Sequence, residues 1–229
     1  MKRNSILFIL LLLSIIDSYG QNAYKLKDLN WTTIDYYTLT PSSYSDSHNY
    51  SISASRSNGD FNLKIQIKGM RTKPPFLTHP LYAYLILTGR EHIFKFVKSL
   101  KYVCYKYEGW LRIATQNKIT HFNKQFDVDF PPVHIAWDVF IESSSSRRIF
   151  YDYNLGLTAF FSTGLLREDC PFTVELKCKP FIKIDDGFES YCVFNNVHEI
   201  CSFISIIEGA EKKLNEIEKE KQRIDNLFK

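Results

Sequence analysis

A chain of 229 residues, 45% apolar and 24% charged, has the make-up of a folded globular protein and excludes a disordered or fibrous one. The formal net charge of +4 is small, and 14 Tyr with 18 Phe favour a strand-rich core. The chain lacks a Gly-x-Ser-x-Gly elbow, a His-Glu-x-x-His pair, a phosphate-cradling loop and a dinucleotide fingerprint, which argues against the common hydrolases and nucleotide enzymes.

Residues 1–20 read as a secretory signal peptide. Lys2 and Arg3 form the charged start, Ile6 to Ile16 the apolar core, and Ser18 and Gly20 the small residues of a cleavage site before Gln21. The apolar run is too short for a membrane span, which needs roughly 20 residues. The protein is therefore expected to be exported, periplasmic or secreted, after cleavage near Gly20. Residues 21–209 are expected to form one α+β domain, and 210–229 the charged end of a C-terminal helix.

Trp31 to Leu39 is a strand, followed by a polar loop over 41–47. Asn58-Gly59 is a tight-hairpin turn, since both positions take a positive φ. Folding about it sets Ala54 against Leu63, Ile52 against Ile65 and Tyr50 against Ile67, with Ser53, Ser55, Lys64 and Gln66 on the other face. Leu81 to Leu87 is a further strand. Thr88 with Glu91 reads as a capping box. Ile93, Val97, Leu100, Cys104, Tyr107, Leu111 and Ala114 then recur at helical spacing, and Asn117 stops the helix.

Phe126, Val128 and Phe130 alternate with Asp127 and Asp129 as on a strand. Val133, Ile135, Trp137, Val139 and Ile141 point one way, and His134, Ala136, Asp138 and Phe140 the other. Ile149–Phe161, Phe172–Cys178 and Phe181–Ile184 follow as strands. Asp186-Gly187 turns the chain into a strand over Phe188–Phe194. Asn196 with Glu199 caps a long final helix, whose apolar stripe narrows past Gly209 to Leu214, Ile217, Ile224 and Leu227. The sum is an α+β fold: an antiparallel β-sheet covered by two main helices, in two halves that each run strands-then-helix.

Over residues 107–137 the chain carries Trp110, Ala114 and Asn117 at the helix end, then Phe122 and Lys124, then Phe130-Pro131-Pro132-Val133 and Trp137. With these it resembles an uncharacterised family of small exported proteins of the Bacteroidota lineage. The resemblance implies export from a Gram-negative cell and a shared fold, and it brings no activity and no functional residues.

Charge is unevenly distributed. Residues 90–125 hold eight basic and two acidic side chains, whereas 126–199 hold six basic and twelve acidic. Lys95, Lys98 and Lys106 project from the first helix beside Tyr102 and form the candidate site for an anionic partner: an envelope component such as a lipid phosphate or acidic polysaccharide, or an acidic protein. Nucleic acid is not expected for an exported chain with so short a patch. Peripheral membrane contact fits the same charge pattern, and the narrow apolar stripe on the charged final helix can pack on the domain, project into solvent or pair with another chain. The leading function is non-enzymatic binding or scaffolding at the cell envelope. The alternative is a hydrolase-type enzyme whose site draws on Asp127, Asp129, Asp138, His121 and His134.

Five Cys are present: Cys104, Cys170, Cys178, Cys192 and Cys201. Cys104 is expected as a buried thiol and one bridge among Cys178, Cys192 and Cys201 is open to an exported chain. Cys192, His198 and Cys201 match no common zinc spacing, so neither a metal nor a cofactor is expected. His79, His121 and His134 have no partner at readable spacing.

Overall fold

The computed structural model describes Leu26 and residues 29–38, 49–71, 81–141, 146–163, 172–178 and 188–228. The signal segment, the polar loop, His79, Cys170, the strand expected over Phe181–Ile184 and the Asp186-Gly187 turn lie outside them. The chain divides into Met1–Asn30 and Trp31–Lys229, and the strands and long helices below belong to the second unit. They are β1 (Thr32–Thr38), β2 (Asn49–Ser57), β3 (Asp60–Arg71), β4 (Leu81–Thr88), α1 (Arg90–Gln116), β5 (Asn123–Gln125), β6 (Val133–Ile141), β7 (Ser146–Leu155), β8 (Leu157–Thr163), β9 (Phe172–Cys178), β10 (Phe188–Phe194) and α2 (Val197–Leu227). The class is α+β, with an open antiparallel sheet and two helices.

The sheet runs β5-β8-β9-β10-β3-β4-β6-β7, with β1 and β2 branching from β3. Its apolar face packs under both helices. Ile52, Leu63, Ile65, Leu85, Trp137, Val174 and Phe194 join Phe96, Leu100 and Tyr107 of α1 and Ile200, Phe203 and Ile207 of α2 in one core. Period-two strands and period-3.6 helices thus meet over a single apolar layer.

The hairpin forms about Asn58 (φ 52) and Gly59 (φ 83), with Ala54 opposite Leu63 and Ile52 opposite Ile65. The expected pairing of Tyr50 with Ile67 does not form, because the sheet forks there. β2 leaves β3 after Ile65, and β10 takes over the same edge from Lys68 onward. Tyr50 pairs instead with Tyr37 of β1. The backbone at the fork is satisfied by side chains. The Tyr37 hydroxyl donates to the Gln66 carbonyl at 2.6 Å, and the Gln66 side-chain oxygen accepts from the Ser51 amide and hydroxyl at 3.1 and 2.9 Å. Tyr37→Phe removes that donor and strands a part-buried carbonyl, so a loss of about 1–3 kcal/mol is expected in urea unfolding. A loss below a few tenths would show that the fork does not depend on it.

Two helix ends differ in how far they follow the sequence. Asn196 caps α2 through its side-chain oxygen to the Glu199 amide at 2.9 Å, and the Glu199 carboxylate accepts the Asn195 amide at 2.8 Å. At α1 the capping box does not form. Thr88 stays in β4, Gly89 takes the cap position with φ 81 and no side-chain cap, and the Thr88 amide donates to His92 Nδ1 at 3.1 Å. The strand demands Thr88 for its pairing with Asn62. At the other end Asn117 terminates α1 as expected.

The single strand expected over Ile149–Phe161 is two strands. Asn154 adopts φ 54, and Gly156 separates β7 from β8. These strands lie near opposite ends of the sheet path, so the chain draws the two ends together at Gly156 and the sheet is curled. Near this corner Phe161 of β8 meets Tyr107, Trp110, Phe122 and Phe126, with ring centroids 5.7, 5.6, 6.3 and 6.5 Å away.

Candidate functional site

A groove of about 1050 Å³ opens between α1 and the stretch Phe126–Pro132. Its construction follows from alternation. Phe126 and Phe130 turn inward, where Phe126 stacks on Trp110 at 4.6 Å and Phe130 tilts against Phe96 at 5.8 Å. Asp127 and Asp129 between them turn outward and line the groove. The stretch is not a strand, contrary to the sequence expectation, although the alternation holds. Pro131 and Pro132 lack the amide hydrogens a ladder needs. Ser99 pins it to α1 by donating to the Asp129 carbonyl at 2.8 Å.

The opposite wall comes from one face of α1. Lys95, Lys98 and Tyr102 are spaced by three and four residues, so their side chains line up along the groove. Lys106 does not line it. One turn beyond, its ammonium lies 5.4 Å from the Tyr102 ring and extends the cationic row past the end of the groove. Lys95 forms an exposed ion pair with Glu91 at 2.8 Å, whereas Lys98, Asp127 and Asp129 have no ion-pair partner among the described residues. The basic face read from the sequence is therefore faced by two carboxylates across the groove.

Asn154 and Gly156, at the curled corner, close the groove's far end. Sequence reasoning missed both. The Asn154 amide donates to His134 Nδ1 at 3.2 Å, so His134 supports this wall from behind and lies beside His92. Burial, reinforced by the nearby His92, lowers the His134 pKa to about 4. His92 is lowered too, again chiefly by burial. With Nδ1 accepting a hydrogen bond, the neutral ring of His134 carries its proton on Nε2.

The remaining candidates are dispersed. His121 is exposed just beyond α1, and Asp138 sits on the sheet face away from the helices. Only Asp127 and Asp129 of the five proposed catalytic side chains reach the groove. Cys192, His198 and Cys201 are not assembled: Cys192 is buried against the Tyr37 hydroxyl, His198 is exposed, and Cys201 turns to Cys104. Among the described residues no three His, Cys, Asp or Glu side chains form a metal-binding group. No described helix is long and apolar enough to cross a membrane. No family model, curated protein or solved structure matches this chain.

Proposed function

We propose that the protein acts by binding, and that the groove between α1 and Phe126–Pro132 takes an anionic component of the cell envelope, with an acidic glycan the best-suited chemistry. The observation that carries this is the pairing of walls. Lys95 and Lys98 offer ammonium groups to carboxylate or phosphate, while Asp127 and Asp129 can accept hydrogen bonds from sugar hydroxyls. Tyr102 supplies a ring on which a sugar face can rest. The exported location read from residues 1–20 would bring such ligands within reach. Lys106 would add long-range attraction rather than direct contact.

The test is retention on an immobilised acidic polysaccharide at low salt. Reversing Lys95, Lys98 and Lys106 to Glu is expected to weaken retention by at least about tenfold, since exposed charge contacts contribute up to about 1 kcal/mol each and fade with ionic strength. Asp127→Asn with Asp129→Asn is expected to weaken it less. Equal retention by wild type and the triple reversal removes the proposal.

A second reading rests on the same two carboxylates. Asp127 and Asp129 in one groove could perform acid–base chemistry on a glycan. Release of reducing ends by wild type, abolished in the Asn variants, would favour that enzyme over a binding protein.

A further inference from the structure

We propose that Cys104 of α1 and Cys201 of α2 are an oxidation site and close into a disulfide that ties the two helices together. Their sulfurs lie 3.4 Å apart, although the residues are 97 positions apart in the chain. A disulfide needs about 2.05 Å between sulfurs, so a small side-chain adjustment closes the gap. The helices are already aligned for it. Lys101 of α1 reaches Glu208 of α2 at 2.6 Å, and the Arg90 side chain reaches Glu211. Going down α1 while going up α2 makes the pair antiparallel.

Access selects Cys201, and the 3.4 Å contact then selects its buried neighbour Cys104. Cys201 is exposed, whereas Cys178 and Cys192 are buried beneath the sheet's apolar face. Cys192 is held between the Tyr37 hydroxyl and the core, and burial pushes its thiol up to about 12. The bridge expected among Cys178, Cys192 and Cys201 is therefore replaced by one to Cys104. The sequence concealed this, because the helix–helix register is not written in any local spacing.

The oxidant is a disulfide donor, such as glutathione disulfide or a protein dithiol oxidase. Cys201, as thiolate, attacks one donor sulfur, breaks the donor S–S bond and expels one donor thiolate. The result is a mixed disulfide on Cys201. Cys104, once deprotonated, attacks the Cys201 sulfur, forms the internal bond and expels the second donor thiolate. The two cysteine protons pass through solvent to the two donor thiolates. The cysteine pair loses two electrons and the donor gains them. Burial, with the neighbouring Cys201, pushes the Cys104 thiol up to about 12. The second step is accordingly the slow one, and it speeds up by about tenfold per pH unit around neutrality because the thiolate is the nucleophile.

The full chain is reduced, freed of reductant, incubated with glutathione disulfide, alkylated and digested without reduction. The expected product is one peptide pair joining Cys104 to Cys201, formed equally well by Cys178→Ser. Cys104→Ser should stop at a glutathione adduct on Cys201. The bridged protein should melt roughly 10 °C above its reduced form, given the long loop that is closed. Alkylation of both Cys104 and Cys201 in the wild type would overturn the proposal. A stable glutathione adduct on wild-type Cys201, or a bridge between other cysteines, would also overturn it.

Discussion

Phe161→Ala is expected to lower stability by about 3–5 kcal/mol, the range for deleting a large buried aromatic side chain. Phe161 is 1% exposed and meets the described rings of Tyr107, Trp110, Phe122 and Phe126. Two of them, Tyr107 and Trp110, come from α1, and two, Phe122 and Phe126, from the segment that leads into the groove. Lys124 adds its ammonium 4.8 Å from the Trp110 ring. Removing Phe161 leaves a hole that Tyr107, Trp110 and Phe126 cannot readily fill, because each is also held elsewhere. The Phe126 amide, for example, donates to the Ala159 carbonyl at 2.9 Å. A fall in melting temperature of roughly 10 °C follows for a chain of this size. Urea unfolding at neutral pH measures the loss directly, and a value under about 1 kcal/mol, typical of surface sites, would contradict the role given to this ring.

Acid should remove about 3 kcal/mol of stability through His134 alone. The unfolded imidazole titrates near 6.5 and the folded one near 4, and each pKa unit corresponds to about 1.4 kcal/mol. The unfolded chain binds the proton first, so the contribution is fully present above pH 6.5. It is lost progressively as the pH falls to 4. Protonation also turns Nδ1 from acceptor to donor, which breaks its bond to the Asn154 amide and disturbs the groove's far wall. His92 adds to the loss in the same direction. Asp35, hydrogen-bonded to Lys213, and Glu211, hydrogen-bonded to Arg90 and Arg56, are held below the usual carboxylate range and begin to lose their contributions only at the acid end of this window. His134→Gln keeps an acceptor but cannot titrate. Its stability should change much less between pH 7 and pH 4.5 than that of the wild type. Parallel curves for the two proteins would show that His134 is not the group responsible.

The sequence carried local structure well and long-range structure poorly. Asn58-Gly59 dictated the first hairpin because only a few residues tolerate two successive positive φ angles. Asn196 and Glu199 marked the start of α2 because their side chains answer the orphan amides there. The seven apolar positions of α1 lay on one face, and the structure adds Phe96 and Val103 to it. What no local pattern could supply was competition between distant segments. Tyr50 lost its expected partner because β10 claims the same edge of β3. Thr88 is held by the strand rather than released to cap the helix. The break at Gly156 had a local signal in Asn154 and Gly156, both poor strand formers, but the strand-forming residues on either side masked it.

The groove was half legible. Lys95, Lys98 and Lys106 were readable as a cationic row from helical spacing, and Asp127 with Asp129 from alternation. That the two sets face each other depends on Ser99, Phe96 and Trp110 docking the Phe126–Pro132 stretch onto α1, which is a tertiary fact. Trp110, Phe122, Lys124 and Phe130 serve largely as this docking scaffold. Beyond Leu214 the last part of α2 is mostly exposed, with Ile224, Leu227 and Phe228 at the surface. Arg56 anchors the helix as far as Asn215 and Glu218.

The claim that the groove binds an acidic glycan is tested most directly by hydrogen exchange with and without a soluble acidic oligosaccharide at low salt. Binding there should slow exchange in peptides spanning 95–102 and 126–132, leave β9 and the end of α2 unchanged, and vanish in the Lys95, Lys98 and Lys106 reversal. Protection confined to another surface, or none at saturating ligand, would contradict it.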